Sequence, residues 1–97
     1  MKREYELTFV LRIDAPDEGL TEQIDEVKGW IQGEGLGEVK KMDRWGRRRL
    51  AYEIDKQREG IYIYFEAEMD PKNVGELERN LRLATHILRH LIVLKDE

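Results

Sequence analysis

Two stretches of this chain, Tyr5 to Ile13 and Ile61 to Met69, place an apolar residue at every second position, and that alternation constrains the fold more than any other feature. In the first, Tyr5, Leu7, Phe9, Leu11 and Ile13 alternate with Glu4, Glu6, Thr8, Val10 and Arg12. In the second, Ile61, Ile63, Phe65, Ala67 and Met69 alternate with Tyr62, Tyr64, Glu66 and Glu68. Successive side chains of a strand point to opposite faces, so each stretch reads as a strand buried on one side only. A sheet with one covered face needs a second layer to cover it. A chain of 97 residues supplies that within one domain, residues 1–97.

The covering layer is helical. From Leu20 the apolar spacing changes to Leu20, Ile24, Val27 and Ile31, one stripe of a helix. Pro16 breaks the first strand, Asp14 or Asp17 can cap the helix, and Gly33, Gly35 and Gly37 end it. A second strand is expected from about Leu36 to Ile54, long enough to invite a bulge at Gly46, with Leu50, Tyr52 and Ile54 alternating into a buried strand. The polar run from Asp55 to Gly60 closes a hairpin onto the strand that starts at Ile61. Asp70-Pro71 supplies a cap and a first helical position, and Val74, Leu77 and Leu81 form the second apolar stripe. Ile87 to Leu94 is the fourth strand, in which Ile87, Leu91 and Val93 compete with Leu88, Ile92 and Leu94 for the buried face.

The order β-α-β-β-α-β, with right-handed crossovers, interleaves into the α+β split β-α-β arrangement called ferredoxin-like: a four-stranded antiparallel sheet with two helices on one face. The other face is then open and carries Tyr62 and Tyr64. Exposed rings on an open sheet face suit a partner.

The residue inventory argues against catalysis. Serine and cysteine are both missing, which removes the two commonest nucleophiles, any disulfide and any thiolate metal site, and favours a reducing, cytoplasmic setting. His86 and His90, read as lying on one face of the fourth strand, would stand ~13 Å apart and could not share an ion. The glycines at 33, 35 and 37 follow a helix and open a strand, the reverse of a phosphate-binding loop. No apolar run approaches the ~18 residues of a spanning helix. Neither cofactor, metal, membrane nor small-molecule substrate is expected.

Net charge is −4, but it is segregated. Residues 14–37 hold seven acids against Lys28 alone, a balance of −6, whereas residues 38–58 hold eight cations against four acids, a balance of +4. Charges more than a Debye length apart, ~8 Å at physiological salt, are largely screened, so a polyanion can meet the basic stretch without feeling the acidic one. The densest cations are Arg44, Arg47, Arg48 and Arg49, arranged around Trp45 and Gly46.

That motif carries a resemblance. Trp45-Gly46-Arg47-Arg48-x-Leu50-Ala51-Tyr52-x-Ile54, together with the order of elements over essentially the whole chain, resembles the family of the sixth protein of the bacterial small ribosomal subunit. It departs at Glu53, where that family usually has proline, and at Asp55, where it has a basic or small residue. The resemblance implies a structural, non-enzymatic protein of the cytoplasmic ribosome, paired with the small-subunit protein numbered eighteen and docked on the central domain of the small-subunit rRNA. It assigns Leu50 and Tyr52 to strand packing, and Arg44, Arg47 and Arg48 to exposed contacts. Trp45, Tyr62 and Tyr64 complete the group expected to meet partner protein or RNA, while Lys2, Arg3, Arg89 and Lys95 form a second cationic strip assigned to RNA. One alternative with the same element order is a free-standing single-strand RNA reader of the RNA-recognition-motif type. Another is a regulatory or enzymatic ferredoxin-like domain that binds a small ligand or itself.

Overall fold

The computed structural model describes residues 2–13, 17–33, 37–54 and 56–95. In chain order the elements are β1 (Arg3–Leu11), α1 (Asp17–Gln32), β2 (Gly37–Ile54), β3 (Gln57–Met69), a 3-10 turn (Pro71–Asn73), α2 (Val74–Leu83) and β4 (Ile87–Leu94). The strands form one antiparallel sheet in the order β2-β3-β1-β4. The expected split β-α-β architecture is therefore the one observed. The side-chain cap expected from Asp14 or Asp17, and the strand start expected at Leu36, lie outside the described residues.

The alternating rows do what their period requires. Tyr5, Leu7, Phe9 and Leu11 of β1 and Ile63, Phe65, Ala67 and Met69 of β3 are buried together under Leu20, Ile24, Val27 and Ile31 of α1 and Leu77 and Leu81 of α2. At the centre Phe9 and Phe65 meet edge to face, ring centroids 5.3 Å apart, the geometry that brings a positive ring edge to a negative face. Ile13 lies beyond the end of β1, in a turn. Asp70 accepts a hydrogen bond from the Lys72 amide (3.0 Å), but the cap opens the 3-10 turn, and α2 follows it.

The competition between the two faces of β4 resolves by a change of parity. Val10 lies opposite Arg89 and Leu11 opposite Ile87, which makes Leu88 an extra residue in β4. A bulge of this kind reverses the facing of everything beyond it. Ile87 is thus buried on the helix side, and Ile92 faces the same side opposite Leu7, while Leu91 and Val93 point to the open face. Neither of the two competing sets is buried as a whole.

Three further expectations are corrected. Segment 50–53 is not a buried strand: Leu50 is buried but Tyr52 is 61% exposed, and the pairing of β2 with β3 lapses between Arg49 and Ile54. The hairpin closes between Ile54 and Gln57, with Lys56 in the left-handed region (φ 66°), so Gly60 is an interior, buried residue of β3 and not the end of a loop. His86 precedes β4 in a turn, where Nε2 lies 3.3 Å from Glu26 Oε1, close enough for an ion pair but not aligned as a hydrogen bond.

Candidate nucleic-acid and partner interface

The surface that remains after the helices are placed is the outer face of the sheet. Its floor is set by register: Glu4, Glu6, Thr8 and Val10 of β1 lie opposite Glu68, Glu66, Tyr64 and Tyr62 of β3, with Val93, Leu91 and Arg89 of β4 beside them. One end is consequently acidic and the other carries rings, aliphatic groups and guanidinium groups.

The basic motif of β2 builds the ring-bearing end. Between Arg44 and Gly46 the pairing slips by one residue, with Trp45 the extra one and Gly46 at φ 87°, a conformation that favours glycine. The bulge lays the Trp45 indole on the Tyr64 ring, centroids 5.2 Å apart and planes 9° from parallel. The Arg48 guanidinium covers the other partner of that stack, 5.6 Å from the Trp45 ring. The same slip puts Arg44 and Arg47 on one side and leaves Arg48 on the other. Arg44 and Arg47 pair opposite Ile63 and Ile61, so they emerge on the helix side, where they line a cleft with Leu20 and Thr21. Arg47 is further engaged by Glu59, Nε to Oε1 2.6 Å, an exposed pair worth at most about 1 kcal/mol.

Beyond Arg49 the end of β2 leaves its ladder and folds over the sheet. Leu50 settles above Gly60, and Val10, although on the outer face, is only 2% exposed. Tyr52 reaches across to β4, where the Arg89 guanidinium lies 5.9 Å from its ring. Thr8, Val10, Tyr62, Arg89 and Leu91 together line a shallow hollow of about 180 Å³. Gly60 is the residue that sequence reasoning missed: a glycine inside a strand pattern is a signal of close approach, and here it makes room for Val10 and Leu50.

The proposed cationic strip is divided. Lys2 and Arg3 are exposed at the start of β1, and the Lys95 amide donates to the Glu4 carbonyl (2.9 Å), which brings Lys95 beside them. Arg89 sits six residues back along β4, roughly 20 Å away at ~3.3 Å per residue, next to Tyr52. Lys95 is also partly neutralised by Glu66 (3.4 Å), as Lys40 is by Glu68 (3.9 Å).

Glu66 accepts from the Tyr64 hydroxyl (3.0 Å), and partial burial together with that bond holds Tyr64 above the usual phenol range. The same hydroxyl, with Lys95 behind it, holds the Glu66 carboxyl below its ordinary 4.5. A depressed folded pKa contributes stability that is present above the unfolded value and lost as pH falls through the folded one. Glu66→Gln should therefore make the urea midpoint fall less steeply between about pH 5 and about pH 3 than in the parent chain. Parallel acid limbs would show that Glu66 is not so linked.

A split β-α-β domain whose outer face interleaves rings and guanidinium groups is of the macromolecule-binding class. Among the described residues no group of three His, Asp or Glu stands at metal-binding distance. No described helix is long and apolar enough to cross a membrane. The profile of the family described as ribosomal protein S6 matches residues 4–94. The small ribosomal subunit protein bS6 of Carboxydothermus hydrogenoformans is 40% identical over 97 residues, covering 100% of each chain, and that of Clostridium acetobutylicum is 41% identical over 90 residues, covering 93% and 94%. Among solved structures, 30S ribosomal protein S6 from Thermotoga maritima superimposes with a TM-score of 0.90 at 32% identity, covering 98% of this chain and 89% of that one. The chain belongs to the ribosomal protein S6 family, a family of non-enzymatic proteins of the small subunit of the cytoplasmic ribosome.

Proposed function

We propose that the chain, as one domain over residues 1–97, holds the central domain of the small-subunit rRNA jointly with the small-subunit protein numbered eighteen. The outer sheet face takes the protein and exposed cations take the RNA. The observation that carries this division is the charge layout of the outer face. Glu4, Glu6, Glu66 and Glu68 cluster at one end of the face with Val93 beside them, while Leu91, Tyr62 and the Trp45–Tyr64 stack offer apolar area towards the other. A protein with an apolar anchor and basic neighbours fits such a surface; a polyanion does not. RNA contact is assigned to Lys2, Arg3, Arg89 and Lys95, with Arg44 and Arg47 available on the helix side.

The reading as a free-standing single-strand RNA reader requires rings open for base stacking. Tyr64 is covered on one face by Trp45 and tied through its hydroxyl to Glu66, which disfavours that role.

Each phosphate contact adds about 0.7–0.9 to the slope of log affinity against log salt. Replacing Arg89 and Lys95 together by alanine should flatten that slope by about one to two units in assembly of the chain with protein eighteen on small-subunit RNA. A slope unchanged within error would remove both residues from the RNA contact.

A further inference from the structure

The helix layer carries a surface that the ribosomal assignment leaves unused. α1 and α2 lie side by side on the sheet, and a groove runs between them. Trp30 and Asn80 line it along its length, with Glu76 at one end and Glu26, Leu83 and His86 at the other. The wider end is a cleft of about 360 Å³. Trp30 is only partly buried and Leu83 is 66% exposed, so the groove presents a ring and an aliphatic side chain to the outside.

Its electrostatics are one-sided. Glu26 and Glu76 stand at opposite ends, the exposed Glu22 continues the Glu26 side of α1, and no lysine or arginine is among the described residues lining the groove. The nearest cations flank the groove without lining it: Arg79, three residues from Glu76 on α2, and Arg12, whose Nε donates to the Thr85 carbonyl (2.9 Å), while Arg82 points away and is engaged with Glu78 (3.9 Å). Carboxylates at both ends of the groove disfavour a polyanion there. A second copy would bring like charges together.

We infer that this groove docks a basic protein segment, anchored by an arginine whose guanidinium lies on the Trp30 ring between the carboxylates of Glu26 and Glu76, with an aliphatic neighbour of that arginine against Leu83. Guanidinium is the cation that can stack flat on an indole and still hydrogen-bond carboxylates in its plane, which is the combination the groove supplies. The site lies on the opposite side of the sheet from the proposed partner face and does not rest on it.

The test uses the full chain labelled with ¹⁵N, whose two tryptophans give two indole N–H signals, one for each side of the sheet. At low salt it is titrated with a synthetic peptide of about ten residues made of arginine, leucine and alanine, with the same peptide carrying glutamate for arginine, and with a short single-stranded RNA. With the basic peptide, the Trp30 indole and the Asn80 side-chain amide should shift saturably while the Trp45 indole stays in place. Glu26→Gln with Glu76→Gln should weaken that binding about fivefold. Glu76→Gln alone, in the exposed first turn of α2, should act in the same direction with the Glu26–His86 contact intact. Movement of Trp45 instead of Trp30, an equal response to the acidic peptide or to RNA, or unchanged affinity in the double variant would each overturn the inference.

Discussion

Replacing Gly60 by alanine should lower the melting temperature by about 10–20 °C, the equivalent of ~2–3 kcal/mol in a domain of this size. The reason is space and not backbone conformation. A Cβ at position 60 would overlap Val10 Cγ1, well inside carbon–carbon contact distance, and lie 3.2 Å from the Leu11 carbonyl oxygen, with Leu50 Cδ2 at 3.7 Å beyond. Val10 is β-branched and almost fully enclosed, so it has no second rotamer to retreat into, and the carbonyl belongs to a sheet ladder. Gly46 provides the contrast: nothing lies within 4 Å of its added Cβ, and alanine there should cost only the ~1–2 kcal/mol of a left-handed residue. The melting curve of Gly60→Ala, followed by circular dichroism, checks the first value. Because the loss is assigned to one pair of groups, Val10→Ala introduced into the Gly60→Ala chain should recover part of it, giving a favourable coupling in a double-mutant cycle. Simple additivity, or a fall of less than about 3 °C, would mean that the outer face relaxes around the new methyl.

What could be read from the sequence, and what could not, divides along a physical line. Rows such as Leu7-Phe9-Leu11 and Ile63-Phe65-Ala67 declare themselves because one face is fully covered, and a period of two then has a single interpretation. The helix stripes are legible for the same reason. Gly46 announced a bulge, and the structure places one there. Tyr52 defeats the pattern because alternation after the bend implies burial, whereas the chain there leaves the ladder and crosses the sheet towards Arg89. Nothing local to residues 50–54 encodes that path. It depends on the hollow above Gly60, which exists only once β3 and β1 have paired. The four cations assigned to one RNA strip are similarly separated by register: Lys95 joins Lys2 and Arg3 through its bond to Glu4, but the distance along β4 puts Arg89 at the far end. Arg47 and Arg48 leave the strand on opposite sides by simple alternation, and the extra residue Trp45 puts Arg44 on the side of Arg47, where an unbroken ladder would put it with Arg48. Residue types thus identified the candidate surface, and pairing register decided which of its members act together.

Leu91→Asp should reduce association with the protein numbered eighteen by about 30-fold or more while changing the stability of the isolated chain by no more than about 0.5 kcal/mol. Leu91 is 60% exposed on the outer face, and Val93 beside it is 43% exposed, so neither contributes much to the helix-side core. Folding alone does not account for an aliphatic pair left outward at the centre of an edge strand, flanked by the hollow over Val10 and the acidic end of the sheet. Within an interface the same pair would lose its water, and a carboxylate placed there would be desolvated while facing a partner selected for apolar contact. The aspartate also tests the charge argument, since it extends the acidic end of the face by one residue, towards Arg89 across the same hollow. Melting temperature and co-purification measured on the same preparation separate the two effects. Leu83→Asp, equally exposed but on the helix layer, should leave pairing with protein eighteen intact. If Leu91→Asp pairs as the parent does, the partner does not sit on the outer sheet face and the division of surfaces proposed above fails. If instead it melts well below the parent, Leu91 supports the fold and is not held outward for another protein.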